Sequence, residues 1–161
     1  MTASANSITA AEVSAGSKLP ELSVDVTATT IVLGALASRD WRPMHHDRDF
    51  AIQRNGVRDI FLNTPNQAAW FERYLTDWTG PTGRLGRIRF RMKDSVFPGD
   101  RMVFRGTVTK LETDATGCAF AELALELTAD GRPATGCTAR VALPRHDGDN
   151  PWARRGDAWK P

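Results

Sequence analysis

Apolar and polar residues alternate from Leu22 to Thr27, the period-two pattern of a half-buried strand. A shorter, less regular apolar segment follows through Ile31, Leu33, Ala35 and Leu36. A polar, proline-containing stretch from Arg39 to Asp47 then reads as a loop. Asp47 is placed to cap a short helix ending near Arg54, with Asn55-Gly56 as its stop signal. A stronger helix starts at Asn63 or Thr64, carries Pro65 in its first turn and stops at Gly80-Pro81. Ala68, Phe71, Leu75 and Trp78 recur along it at spacings of three and four. Ala69, Trp70 and Tyr74 add apolar surface, so the helix is predicted to be largely buried.

After that helix the period is two throughout. Strands are predicted over Arg84–Val96, Met102–Leu111, Cys118–Thr128 and Thr135–Leu143, separated by turns at Phe97–Asp100, Asp114–Gly117 and Asp130-Gly131. The third of them shows Ala121, Leu123, Leu125 and Leu127 on one face and Phe120, Glu122, Ala124 and Glu126 on the other. One strand, one apolar helix and a four-strand antiparallel meander make an α+β protein. A sheet can satisfy one such helix by wrapping around it, and its edge is then free to pair across a dimer. One domain is expected over residues 21–144. Residues 1–20, rich in Ala and Ser and without periodicity, are expected to form a mobile tail. Residues 145–161 are expected to be irregular, with Trp152 and Trp159 packing on this chain or on a partner.

Composition narrows the function classes. The chain has 161 residues, 41% apolar and 25% charged, with a formal net charge of +2, which gives no reason to expect a nucleic-acid partner. No apolar run approaches the roughly 20 residues that cross a bilayer, and no basic segment precedes an apolar core at the N-terminus. A cytoplasmic protein with no membrane association is the expectation. Cys118 and Cys137 fit neither a disulfide framework nor a zinc motif and are read as buried thiols.

Candidate chemistry concentrates in the loop S-R-D-W-R-P-M-H-H-D-R-D-F-A, Ser38 to Ala51, which holds two of the three histidines. Asp40 and His45 are five residues apart, with Pro43 stiffening the turn between them. A carboxylate and an imidazole held together can grip one water from two sides and move its proton, which is general acid–base chemistry. The same spacing also occurs in merely solvated loops. Adjacent histidines rarely share a coordination sphere, so His46 is read as structural or solvent-facing and no metal site is expected. Arg84, Arg87, Arg89, Arg91 and Lys93 alternate along one strand, either to contact phosphate or to stay solvated.

The loop resembles the signature of the MaoC-like, hydratase 2 type, enoyl-CoA hydratase/dehydratase family. That signature is a small hydroxyl residue, Gly, Asp, any residue, Asn, Pro, an aliphatic residue, His, five residues, then Ala or Ser. Ser38, Asp40, Pro43, Met44, His45 and Ala51 stand in those places, while Arg39 replaces the Gly and Arg42 the Asn. The order of elements over residues 22–144 is also similar to that family's hot-dog domain. The resemblance implies (R)-specific hydration of a trans-2-enoyl thioester of coenzyme A, with Asp40 and His45 catalytic and no cofactor beyond the coenzyme A of the substrate. It also implies an oxyanion site at the head of the long helix. The family's His-Gly pair there is Leu62-Asn63 in this chain, so the backbone N–H groups of Asn63 and Thr64 are the candidates. Arg84, Arg87 and Arg89 are the candidates for the coenzyme's phosphates. D-W-R-P-M-H-H-D, I-F-L-N and T-D-W-T-G-P are similar, more narrowly, to small actinobacterial subunits of steroid side-chain degradation. This likeness implies a bulky acyl group and a homodimer or a hetero-oligomer with a second hot-dog subunit. Dehydration of a 3-hydroxyacyl carrier-protein thioester, and a non-catalytic subunit shaping a partner's pocket, are the alternatives.

Overall fold

A computed structural model describes residues 7–161. The strands are β1 (Leu22–Asp25), β2 (Arg84–Met92), β3 (Arg101–Thr113), β4 (Ala119–Ala129) and β5 (Arg132–Leu143). The helices are α1 (Ala28–Ala37), α2 (Arg48–Asn55) and α3 (Thr64–Thr79). All strand pairs are antiparallel, in the order β1-β3-β4-β5-β2. Residues on the inner face of β3, β4 and β5, such as Phe104, Leu123, Leu127 and Val141, bury against Phe71, Tyr74 and Leu75 of α3. The Phe71 ring meets Phe104 edge-on at 5.1 Å and stacks with Phe90 of β2 at 6.4 Å. One buried polar contact crosses this interface, Thr135 Oγ1 donating to Gln67 Oε1 at 2.7 Å. The result is an α+β hot-dog domain, a sheet wrapped on one central helix. No helix among the described residues is long and apolar enough to cross a membrane.

Four expectations change. First, only β3, β4 and β5 form the meander; β2 pairs with β5 at the far edge. Its link to β3 must cross about three strand spacings of about 4.8 Å each, which no tight turn can do. Residues 93–100 therefore run over the end of the sheet, with Val96 and Phe97 buried. Second, the segment at Ile31 is helix α1. Thr27 caps it, exchanging hydrogen bonds with Thr30, but only Ile31 and Ala35 are buried, while Leu33 and Leu36 are exposed. So narrow an apolar stripe hides the helical period. Third, residues 7–20 are not a loose tail. Gly16 N donates to Val108 O, Leu19 N to Gly106 O and Ala10 N to Pro144 O, with Val13 and Leu19 as buried anchors. The expectation for residues 1–6 lies outside the described residues. The long helix is also less enclosed than predicted, since Ala69 is exposed and Trp70 and Trp78 are half-buried.

Both tryptophans of the C-terminal segment pack on this chain. Trp159 covers Phe120, and Trp152 Nε1 donates to Gly83 O. Cys137 is 6% exposed, and burial pushes its thiol up to about 12; burial raises Cys118 as well. Since the thiolate is the nucleophile, native protein at pH 8 should leave a disulfide thiol reagent unreacted, and urea should release two thiols at once. Rapid modification of the folded chain would place a thiol at the surface instead.

Candidate active site

The end of α1 aims the first candidate residue inward. Ser38 caps the helix and its hydroxyl donates to Gly34 O. Arg39 then takes φ 52°, the left-handed conformation, and turns the chain so that Asp40 N donates to Ala35 O. A glycine would hold this bend without strain; the Arg39 side chain costs about 1–2 kcal/mol there. Pro43 opens a single 3-10 turn, Pro43–His45, which carries His45 under the loop. The side chains of Asp40 and His45 are 8% and 5% exposed, with His45 Nε2 3.5 Å from Asp40 Oδ2.

The groups that touch this pair decide what each side chain can do. His45 Nδ1 lies 2.7 Å from Phe61 O, and the ring meets Phe61 edge-on at 5.0 Å. A carbonyl only accepts, so Nδ1 carries a hydrogen, and Nε2 is the ring nitrogen turned toward Asp40. Asn63 caps α3 with Oδ1, accepting from Asn66 N, and its Nδ2 donates to Ser38 Oγ at 2.8 Å and Asp40 Oδ2 at 3.0 Å. One amide thus ties α1, the loop and α3 together. The helices can approach this closely because position 34 is glycine. A Cβ there would stand 1.8 Å from Asn66 Nδ2, which donates to Thr30 O. Arg42 closes the other side, with Nε 2.8 Å from Asp40 Oδ1 and Nη2 2.9 Å from Oδ2. The Arg42 hydrogen bonds, with smaller help from Asn63, hold the Asp40 carboxyl well below the usual carboxylate range, against the opposing effect of burial.

Asn63 and Thr64 lie beside this pair at the head of α3. Among the described residues, neither backbone N–H is donated to another protein group. The predicted role for Asn63 was its backbone alone; its side-chain grip on Asp40 and Ser38 was missed, as was the Phe61 carbonyl behind His45. His46 is exposed, and among the described residues no three His, Cys, Asp or Glu side chains are grouped to hold a metal.

The basic strand is only partly as expected. Arg84 is withdrawn from the phosphate candidates. Its guanidinium lies 3.6 Å from the centre of the Trp159 ring and 5.3 Å from that of Trp152, and donates to the carbonyls of Pro151 and Arg154. Thr64 touches Met92, at the opposite end of β2 from Arg84, roughly 26 Å away at about 3.3 Å per residue. Arg87 and Arg89 are exposed, on the face opposite Ile88 and Phe90. Between the head of α3 and the end of β2 lies a cleft of about 260 Å³, lined by Phe61, Leu62, Gln67, Met92, Lys93, Asp94 and Ser95.

An oriented imidazole, a fixed carboxylate and an open helix head can activate water beside a carbonyl group. Comparison with known proteins gives the same direction. Residues 11–123 match the family model described as "MaoC like domain". The chain is 40% identical over 94 residues to the 3-oxo-4,17-pregnadiene-20-carboxyl-CoA hydratase beta subunit of Mycobacterium tuberculosis, covering 58% of this chain and 72% of the relative. The solved ChsH1-ChsH2 complex of M. tuberculosis matches with a TM-score of 0.74 and 31% identity, over 80% of this chain and 97% of that one. The (R)-hydratase from A. caviae involved in PHA biosynthesis matches with a TM-score of 0.73 and 25% identity, over 82% and 98%.

Proposed function

The chain belongs to the MaoC-like hydratase/dehydratase family, and on that premise we propose that it adds water to a trans-2-enoyl thioester of coenzyme A, giving the R-configured 3-hydroxyacyl product. The observation that carries this reading is the geometry of Asp40 and His45, 3.5 Å apart beside N–H groups at the head of α3 that have no acceptor among the described residues. The thioester oxygen rests on the N–H of Asn63 or Thr64, where the helix dipole favours developing negative charge. Water held between His45 Nε2 and the Asp40 carboxylate attacks C3, and a proton returns to C2. The same groups serve the reverse dehydration. Arg87 and Arg89 are the remaining candidates for the coenzyme's phosphates.

A bulky, steroid-like acyl group and a second hot-dog subunit complete the reading. The 40% identical relative is a subunit of a hydratase for a pregnadiene carboxyl-CoA, and a solved relative is a two-protein complex. The cleft of about 260 Å³ is smaller than the about 300–1,000 Å³ usual for sites that enclose a drug-sized ligand. Met92, one of its walls, is 43% exposed, and Trp41 of the loop is 66% exposed, apolar surface ready to be covered. A partner subunit supplies the missing walls.

The test is hydration of trans-2-enoyl-CoA substrates, from crotonyl to a steroid side-chain thioester, by the chain alone and with a co-encoded hot-dog partner. Turnover of the bulky substrate, rising when the partner is added, is the expected result. Activity confined to short chains sinks the steroid assignment, and no hydration of any thioester in either setting sinks the hydratase reading.

A further inference from the structure

We propose that Arg42 is a positioning residue that commits Asp40 to orienting the water, leaving His45 as the sole proton carrier of the pair. This deepens the hydratase reading above and rests on it. Asp40 is held as an anion by donors on both of its oxygens. Oδ1 accepts from Arg42 Nε at 2.8 Å and from the Arg42 backbone N–H at 3.3 Å; Oδ2 accepts from Arg42 Nη2 at 2.9 Å and from Asn63 Nδ2 at 3.0 Å. The groups facing Asp40 are Arg42 and His45 from its own loop and Asn63 from the head of α3, and no second acid is hydrogen-bonded or ion-paired to it among the described residues. A forked guanidinium matches both carboxylate oxygens at once, which a neutral amide in the same place cannot do.

His45 has the opposite arrangement. Its Nδ1–H is fixed on Phe61 O, and Nε2 is free to take a proton. The step then balances through one atom. A water O–H proton passes to Nε2 as the water oxygen bonds to C3. The C2=C3 electron pair moves into an enolate whose oxygen is held at the head of α3. Nε2 returns the proton to C2, the enolate collapses to the thioester, and the imidazole is neutral again. Asp40 stays an anion throughout, facing the imidazolium while it lasts. Arg42 reaches Asp40 from outside, its side chain 63% exposed, so replacing it disturbs no packed core.

Two readouts on the full chain, with its partner subunit where turnover requires one, test this. The first is the acid limb of kcat/KM against pH. The wild type should lose activity in a single-proton step. Arg42→Gln should lose about tenfold or more in kcat with little change in KM, and its acid limb should steepen as Asp40 begins to titrate. Arg42→Lys, which keeps the charge but not the fork, should fall between. The second is the 13C resonance of the Asp40 carboxyl, whose midpoint should rise by about one pH unit or more in Arg42→Gln, read without any substrate. An unmoved carboxyl midpoint overturns the proposal, and so does a loss confined to KM, which would mean that Arg42 grips the substrate. A shifted midpoint with no hydration by the wild type would instead locate the failure in the hydratase reading.

Discussion

Replacing His45 by alanine is expected to lower kcat for enoyl-thioester hydration by about 10²–10⁴-fold, the usual range for losing a positioned acid–base group, with Asp40→Ala close behind. The imidazole is the group whose Nε2 faces the water position, and its orientation is set from outside by Phe61 O at 2.7 Å. Nothing else within the loop can take its place, because His46 is exposed and points the chain onward into α2. KM should change little, since neither side chain holds the coenzyme A portion. Folding should survive both substitutions. His45→Ala leaves the Phe61 carbonyl without a partner, a cost of about 1 kcal/mol, and Asp40→Ala releases an Arg42 that is already mostly solvated. Single-turnover and steady-state kinetics on both variants, with melting curves as the control for folding, decide the matter. Two stable variants with wild-type turnover would remove the site.

The pair was legible in the sequence because it is local. Five residues and a proline are enough to bring Asp40 and His45 to one side of a loop, and the capping residues Asp47 and Asn63 mark where helices α2 and α3 begin. What surrounds the pair was not legible, because it is made by packing. Asn63 reaches Asp40 across 23 positions only because Gly34 lets α1 lie against Asn66. The sequence shows Arg42 as the loss of a family asparagine; only the structure shows the guanidinium forked onto Asp40. The same limit explains β2. Alternation along Leu85, Ile88 and Phe90 tells which face is buried and says nothing about the neighbouring strand, so the meander was drawn one strand too long. Backbone pairing from Gly16 to Leu19 ties the N-terminal segment to β3, beside the buried Val13 and Leu19, and backbone groups carry no sequence signature. Arg84 was misplaced for a related reason. Its position on the strand was right, but the C-terminal tryptophans that claim it lie about 70 residues away, at contacts no periodicity records.

Asp100 lies outside the loop yet should matter to it, and Asp100→Ala is expected to destabilise the fold by about 2–4 kcal/mol. Its carboxylate is 1% exposed and accepts from Phe97 N at 2.9 Å, from Arg132 Nη2 at 3.1 Å and from Arg58. Arg58 and Arg132 are 57% and 41% exposed, so both stay hydrated when the acid is removed, and the ion pairs themselves contribute little in salt. The larger cost is the buried Phe97 N–H left with no acceptor, together with the space the side chain vacates. Asp100→Asn should therefore cost only about 1–2 kcal/mol, because the amide oxygen can still accept from Phe97. The consequence reaches the active site through a short chain of contacts. Arg58 lies over the Phe97 ring at 4.6 Å, Phe97 meets Phe61 at 6.2 Å, and Leu62 N donates to Val96 O at 3.0 Å. These contacts hold the carbonyl that fixes His45. Urea denaturation should show an earlier midpoint with an unchanged slope, and melting should fall by about 2–4 °C for each kcal/mol lost in a domain of this size. Turnover of Asp100→Ala should drop while the protein is still folded. A variant within about 0.5 kcal/mol of wild type would show that the 93–100 connection does not depend on the Asp100 carboxylate.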